Sequence, residues 1–279
     1  MLFSQIIGAN DQVKQASSMY WVVQDKMRES GGDRTLRELL PRWGIPHSYH
    51  DVVPIVGELR PDVNPEGNVI VMGSYSMRHA AKAKGWIPGC FDVGHITHDD
   101  YLARWGDDLL NASARVCRFE DAPRHIMDEF FVRPTIDSKA FAGQTYSREE
   151  FMSWHAKVMA LNDPGAFVLP DTEIIIAPIK DIAHEYRCWI VDGRVVTSSL
   201  YKRGDDQHQV LMQGRIDDEV IDYASKFAAG SWQPNRAYVL DLCLSSSRPR
   251  VLEVNTLNAS GFYAADIAKL VQALEAMVF

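Results

Sequence analysis

The chain has 279 residues, with 29 Lys+Arg against 37 Asp+Glu and a formal net charge of −8. At 46% hydrophobic and 24% charged it has ordinary globular composition, neither disordered nor fibrous, and a chain this long can bury roughly 75% of its unfolded surface. The acidic balance argues against a general duplex-binding protein, which needs excess Lys and Arg to displace counterions, but leaves room for a local basic pocket. No stretch approaches the roughly 20 apolar residues of a bilayer span, and residues 1–9 lack the basic segment of a secretory signal. The four cysteines, Cys90, Cys117, Cys188 and Cys243, are far apart with no C-x-x-C pair. Buried, reduced thiols and a soluble cytoplasmic protein away from membranes are therefore expected.

Residues 12–40 are rich in polar, helix-compatible residues, broken by Gly31-Gly32, with a second helical piece over 34–40 that Pro41 and Gly44-Ile45-Pro46 end. After a stretch of turn residues (Gly57, Pro61, Pro65, Gly67), residues 68–72 read as a buried strand opening at Gly73-Ser74, followed by a helix over 77–84 that stops at Gly85. This strand–turn–helix unit is of the sort that builds parallel sheets. A helix is expected around 99–110 and a strand over 130–133, cut by Pro134. Ser147-Arg148-Glu149-Glu150 is a capping-box pattern, with Phe151, Trp154, Val158 and Leu161 following at helical spacing. Strands then dominate: 174–177, stopped by Pro178; a hairpin of 186–191 and 194–198 across Asp192-Gly193, which suits a type I′ turn; and a pair, 237–244 and 250–255, across a Ser/Pro loop. Helices are expected over 217–228 and 264–277. The first ~115 residues read as α/β, and the remainder as α+β with antiparallel pairs.

The last strand pair carries the most chemistry. Asp241 sits in an apolar strand, where a charge is expensive unless compensated. Glu253 and Asn255 are two apart, so they leave the same face of their strand, and pairing across the loop lets Asp241 join them. Two carboxylates and an amide oxygen are hard ligands suited to magnesium; an isolated E-x-N more often marks a solvated edge, and the strand Asp is what lifts the pattern above that. Arg133 ends an apolar strand, Lys139 lies six residues on, Arg187 stands inside the hairpin, and Lys202 and Arg203 follow it. Arginine offers a forked donor set that matches phosphate, and lysine a mobile point charge. Taken singly, Lys139, Lys202 and Arg203 read as solvated loop charges; Arg187, alternating with Tyr186 and Cys188, does not. Where the strand stops at Pro178, unpaired backbone groups could meet a planar heterocycle, or simply form a bulge.

Together these pieces resemble the ATP-grasp superfamily over roughly residues 119–279. Asp241 followed by Glu253-x-Asn255 is the most specific motif, and the run from Glu185 to Val196 is similar to the RimK-like branch. Val132-Arg133-Pro134, Asp137-Ser138-Lys139-Ala140-Phe141 with Gly143, and the segment from Glu253 through Asn258, Ser260 and Gly261 to Asp266 look like the R-two-K clade, a bacterial and phage group proposed to form amide-type bonds. Val71-Met72-Gly73-Ser74 and Pro88-Gly89 fit its preceding domain. The resemblance implies an α/β pre-ATP-grasp domain over 1–118 and an ATP-grasp domain over 119–279. The latter divides into lobes 119–178 and 179–279, with the nucleotide between antiparallel sheets. It further implies ATP with magnesium, two ions, for which manganese can substitute, held by Asp241, Glu253 and Asn255. Arg133 and Lys139 would contact phosphates. Ala177, Pro178 and Ile179 would hold adenine, and Glu185 the ribose. Arg187 and Lys202 would face the transferring phosphoryl group, and Asn258 and Ser260 the acceptor. Arg133 stands where most of the superfamily has lysine, and no long glycine-rich loop is present, only Gly143.

The implied activity is a carboxylate–amine ligase acting through an acyl phosphate on a small molecule or peptide; a phosphotransferase on the same scaffold is the alternative, and a non-catalytic module a third. Nucleic acid is not an expected partner, and a homo-oligomer is left open. His47-x-x-His50-Asp51 and His95-x-x-His98-Asp99-Asp100 lack a third soft ligand for a metal. Gly73-Ser74-Tyr75-Ser76 lacks the spacing of a nucleophile elbow, and Gly31-Gly32 lacks the Gly-Lys-Ser/Thr ending of a P-loop.

Overall fold

The computed structural model describes residues 19–25, 31–138, 140–161, 163, 165–204 and 218–279. Five strands, Tyr20–Gln24 (β1), His47–Val52 (β2), Leu59–Arg60 (β3), Val69–Met72 (β4) and Pro88–Gly89 (β5), form a sheet in the order β3-β2-β1-β4-β5. β1 runs parallel to β2 and β4, β4 parallel to β5, and β3 closes its edge antiparallel to β2. Every residue of β4 is buried, as expected of a strand covered on both faces. Gly31–Arg42 (α1) packs Leu36 and Leu40 toward Trp21, Val23, Ile70 and Met72, while Met77–Lys84 (α2) covers Val22, Val69 and Val71 on the other face.

β1 corrects the sequence expectation. The helical reading of residues 12–40 contains the central strand, and of that stretch 12–18 and 26–30 lie outside the described residues. The Tyr20-Trp21-Val22-Val23 run has the aromatic and β-branched character of a strand, and burial between two neighbours overrides the polar flanks. β2 falls in a stretch for which the sequence predicts no strand, because His-Ser-Tyr-His-Asp-Val contains no apolar run. His98–Trp105 (α3) is shorter than the expected 99–110. It opens with a capping box between Thr97 and Asp100 and ends at Gly106, which has φ +50°.

The second sheet contains Arg115–Arg118 (β6), Glu129–Pro134 (β7), Gln144–Ser147 (β8) and Glu173–Ala177 (β9), all antiparallel in the order β6-β9-β7-β8. β6 pairs with β9, so this sheet begins at Arg115, before the boundary expected at 118. Arg148–Ala160 (α4) starts at the expected Ser147–Glu150 capping box and buries Phe151 against Phe119 and Phe130.

The third sheet, order β11-β10-β12-β13, comprises His184–Val191 (β10), Arg194–Arg203 (β11), Ala237–Ser245 (β12) and Arg248–Asn255 (β13). Asp192 and Gly193 have φ of +43° and +74°, the expected type I′ geometry. Ser246 and Ser247 also have positive φ, so the second hairpin closes in two residues rather than across a longer loop. Asp218–Ala228 (α5) covers one face through Val220, Ala224 and Phe227. Ile267–Glu275 (α6) covers the other, and the same apolar cluster includes Trp21, Leu40, Trp189, Val239 and Leu270. The first and third sheets therefore share one core. Among the described residues no helix is long and apolar enough to cross a membrane.

Gly32 of α1 meets this core's loop at close quarters: a Cβ there would lie 2.3 Å from the Cβ of Phe262. Gly32→Ala is expected to destabilise by about 1–3 kcal/mol through overpacking, read as a fall of several degrees in melting temperature.

Candidate active site

The third sheet organises its polar groups by register. Ser199, Arg187, Asp241 and Glu253 stand side by side across β11, β10, β12 and β13. A regular ladder grown from the Ser246-Ser247 turn would set Leu252 opposite Asp241. A bulge between Asp241 and Leu242 sets Glu253 there instead. A second bulge, between Glu185 and Tyr186, brings Lys202 opposite Glu185. The Glu185 carboxylate then accepts from Lys202 Nζ (2.7 Å) and from the Tyr201 hydroxyl (2.7 Å).

Asp241 is fully buried. Arg187 donates to it bidentately, Nε to Oδ1 at 2.8 Å and Nη2 to Oδ2 at 2.7 Å, and its Nη1 donates to the Gly261 carbonyl at 3.2 Å. Asn255 Nδ2 donates to Asp241 Oδ2 and to Glu253 Oε1, both at 3.0 Å. From the facing sheet, Arg133 Nη1 reaches Glu253 Oε2 at 3.0 Å. Burial works against the charge on Arg187, but the Asp241 charge and its hydrogen bonds prevail and hold the guanidinium protonated. Burial first, then the Asp241 and Glu185 carboxylates, push the Tyr201 hydroxyl well above its usual range, so it stays a donor.

The rest of the expected set divides. Ala177 is buried at the end of β9 opposite Phe131, and Pro178 and Ile179 follow, exposed, on the connection to the third sheet. Lys139 lies outside the described residues. Asn258, expected at the acceptor, is buried, where its Oδ1 accepts from the Phe91 N–H (2.7 Å) and its Nδ2 donates to the Val71 carbonyl (2.7 Å). The amide is thus engaged in tying the loop after β13 to β4. Ser260 is buried, its hydroxyl donating to the Thr256 carbonyl at 2.9 Å. Sequence reasoning had no signal for the walls that α3 supplies, where His98 and Tyr101 line a cleft with Arg133 and Glu253. Burial, then the Arg133 charge, hold His98 below the usual imidazole range. Tyr201 and Tyr263, beside Arg187, also carry no sequence signal of their own.

The donor set fits a hard divalent cation better than a soft one. Among the described residues no three His, Cys, Asp or Glu side chains are grouped so as to hold a metal ion by themselves. His47 Nδ1 bonds the Ile45 carbonyl, and His50 bonds the Pro61 carbonyl and the Ser48 hydroxyl. Burial pushes Cys90 and Cys243 to about 12, so both are protonated thiols. What Asp241, Glu253 and Asn255 offer is oxygen, in the small number that magnesium takes from protein while retaining waters. The two acids are matched by Arg187 and Arg133, so a cation would release two guanidinium forks toward whatever anion accompanies it.

A family model described as the ATP-grasp domain of the R-two-K clade, family 3, matches residues 51–274. No curated protein matches the chain in sequence. Among solved structures, the chain is similar to a RimK domain protein of the ATP-grasp kind from Sphaerobacter thermophilus (TM-score 0.59, 12% identity, 92% of this chain and 99% of that one). It is also similar to the ATP-grasp ligase PsnB complexed with a minimal precursor (0.54, 14%, 92% and 98%). A third is D-alanine–D-alanine ligase from Bacillus anthracis complexed with ATP (0.55, 13%, 92% and 92%). At these identities the likeness shows the ATP-grasp fold.

Asp241→Ala strands the buried Arg187 charge and is expected to cost about 3–5 kcal/mol, whereas Glu253→Gln, at a partly exposed pair, costs on the order of 1 kcal/mol; urea unfolding of the two variants measures the contrast. Asn258→Ala leaves the Phe91 N–H and Val71 carbonyl unpaired, about 1–3 kcal/mol for each orphaned group, and the same unfolding curves read that loss.

Proposed function

We propose that this chain, which belongs to the R-two-K clade of ATP-grasp domains, family 3, is an ATP-dependent ligase that activates a carboxylate and joins it to an amine. The observation that carries the reading is the row Arg187–Asp241–Glu253, met by Arg133 from the facing sheet. It gathers acids suited to a metal and arginines suited to phosphate at one point between two antiparallel sheets. In this reading the nucleotide lies between those sheets, with adenine at Ala177, Pro178 and Ile179, the ribose at Glu185, and Lys139 as a further phosphate cation. The first sheet acts as the pre-ATP-grasp domain.

Asp241, Glu253 and Asn255 would hold magnesium, two ions in all, with manganese as a substitute. Bound there, magnesium would supply neutralisation of phosphate charge. Arg133, Arg187 and Lys202 bind phosphoryl oxygens and orient the γ-phosphoryl group toward the substrate carboxylate. A carboxylate oxygen attacks the γ-phosphorus, the bond to ADP breaks, and an acyl phosphate forms. The amine then attacks the acyl carbon, the bond to phosphate breaks, and phosphate leaves with the amide formed. Closure of the sheets on one another keeps water from the acyl phosphate.

The substrates enter along a groove of about 600 Å³ between α2 and residues 85–95, lined by Arg78, Lys82, Trp86, Asp92 and His95. Its floor is tied to the metal strand, since Thr256, the residue after Asn255, bonds Val93 N–H (3.3 Å) and Asp92 (3.5 Å). The likeness to a ligase complexed with a precursor peptide and to one that joins two alanines supports a peptide or small amino-acid substrate in that groove.

Melting temperature with ATP and magnesium, on the native protein and on Glu253→Gln, tests the metal and nucleotide site. Ligand at 100 times its dissociation constant adds about 2.7 kcal/mol, a rise of several degrees that the variant is expected to lose. The ligase reaction itself is expected to release ADP and phosphate in equal amounts only when a carboxylate and an amine are both supplied. ADP release with the phosphoryl group retained on a product would favour a phosphotransferase, and the absence of any melting shift at millimolar ATP would overturn the reading.

A further inference from the structure

Tyr263 has φ +50°, in the left-handed region that glycine and asparagine occupy freely and that a bulky side chain resists. The loop that contains it is fixed by other groups. The Ser260 hydroxyl donates to the Thr256 carbonyl, the Ala264 N–H to the Ser199 hydroxyl (3.1 Å), and the Asp266 N–H to Thr197 Oγ1 (2.8 Å). Phe262 is buried in the shared core. The turn therefore has its own supports, and a tyrosine sits at a position whose backbone favours glycine.

Its ring explains the choice. Tyr263 stacks on Tyr201, centroids 4.9 Å apart and planes 15° from parallel. The guanidinium carbon of Arg187 lies 5.1 Å from the Tyr263 centroid and 5.3 Å from that of Tyr201, within the range of cation–π attraction. Tyr201 is in turn anchored by its hydroxyl on Glu185. Arg187 is thus held on one side by Asp241, at its tip by the Gly261 carbonyl, and on its remaining flank by the two rings. Without the rings, a guanidinium whose carboxylate partner is drawn to a ligand would be free to swing on its side-chain torsions.

We propose that Tyr263, backed by Tyr201, is a positioning residue that keeps the Arg187 fork aimed at the transferring phosphoryl group. The inference rests on the ATP-dependent reading of the same site. A misplacement of about 1 Å at a reacting group can lower rate by roughly a hundredfold, so the effect belongs in kcat rather than in nucleotide binding.

The experiment compares Tyr263→Phe, Tyr263→Asn and Tyr263→Gly with the native protein by melting temperature, calorimetric affinity for ATP with magnesium, and ADP release from ATP with an amino-acid mixture that supplies both carboxylate and amine. Asn and Gly suit the left-handed backbone, so both variants are expected to melt at or above the native temperature. Their affinity for ATP is expected within about threefold of native, while kcat falls roughly 10- to 100-fold. Phe, which restores the ring without the hydroxyl, is expected to return kcat to within about twofold. Asn and Gly variants that melt well below native but keep native kcat would show a merely structural ring and overturn the proposal, as would equal kcat for Phe and Asn. A native protein that neither binds nor turns over ATP would overturn both this inference and the function it rests on, whereas native turnover with indifferent variants overturns this inference alone.

Discussion

A carboxylate with no exposed surface, set in the middle of a four-stranded sheet, is the constraint around which this molecule is arranged. Moving such an ion out of water carries a penalty of several kcal/mol even after relaxation, and Asp241 meets it with a two-toothed contact from Arg187 on the adjacent strand and an amide bond from Asn255. Arg187 is itself buried, so its charge is acceptable only where Asp241 lies. Each group therefore fixes the register of the other's strand. A slip of one residue between β10 and β12 would bury two unlike charges among apolar side chains, on opposite faces. Apolar pairs of similar volume often stabilise as well as such a bridge. Its retention in this place is better understood as keeping a bidentate arginine and a carboxylate side by side than as contributing to the stability of the sheet.

From that pair the arrangement spreads outward. Glu253 continues the row on β13, and Arg133 takes it across the cleft to the second sheet. On the opposite flank, Glu185 gathers Tyr201 and Lys202. Among the described residues three cations, Arg133, Arg187 and Lys202, are each paired with a carboxylate, Glu253, Asp241 and Glu185, so the site is nearly neutral despite its density of charge. An incoming anion with its counter-cation then exchanges partners with groups already in place, with little new charge to desolvate. The core shared by α1, α6 and two sheets holds the loop after β13 on its far side. Asn258 hands that rigidity on to β4.

Local runs made much of this visible in the sequence. The apolar stretches of β10, β12 and β13, the Asp192-Gly193 turn and the Ser147–Glu150 cap are local signals, each decided by a few neighbouring residues. With Asp241 in an apolar run and Glu253 two residues from Asn255, they located the acidic end of the site. What escaped was decided at long range. β1 is a strand because β2 and β4 flank it, although its surroundings read as helix. The two bulges leave no local mark, yet one puts Glu253 opposite Asp241 and the other puts Lys202 opposite Glu185. The ties of Asn258 to Phe91 and Val71, more than 160 residues earlier, likewise leave no local mark.

The bulge in β13 also has a consequence for how such a chain can vary over evolutionary time. The tight turn at Ser246-Ser247 fixes where the hairpin ladder starts, and the one additional residue at Leu252 fixes which side chain reaches Asp241. Between turn and acid, segment length is thus quantised. Gaining a single codon there sets Glu253 opposite Leu240 on the apolar face, unless a second length change restores the count, whereas losing one is absorbed only where the bulge itself disappears, since a regular ladder then carries Glu253 to Asp241. Substitutions along the same hairpin face a gentler filter, since only side-chain volume and polarity change. Homologous chains that keep the site should therefore differ in β13 by substitution and tolerate insertions elsewhere, in surface connections such as that between α4 and β9.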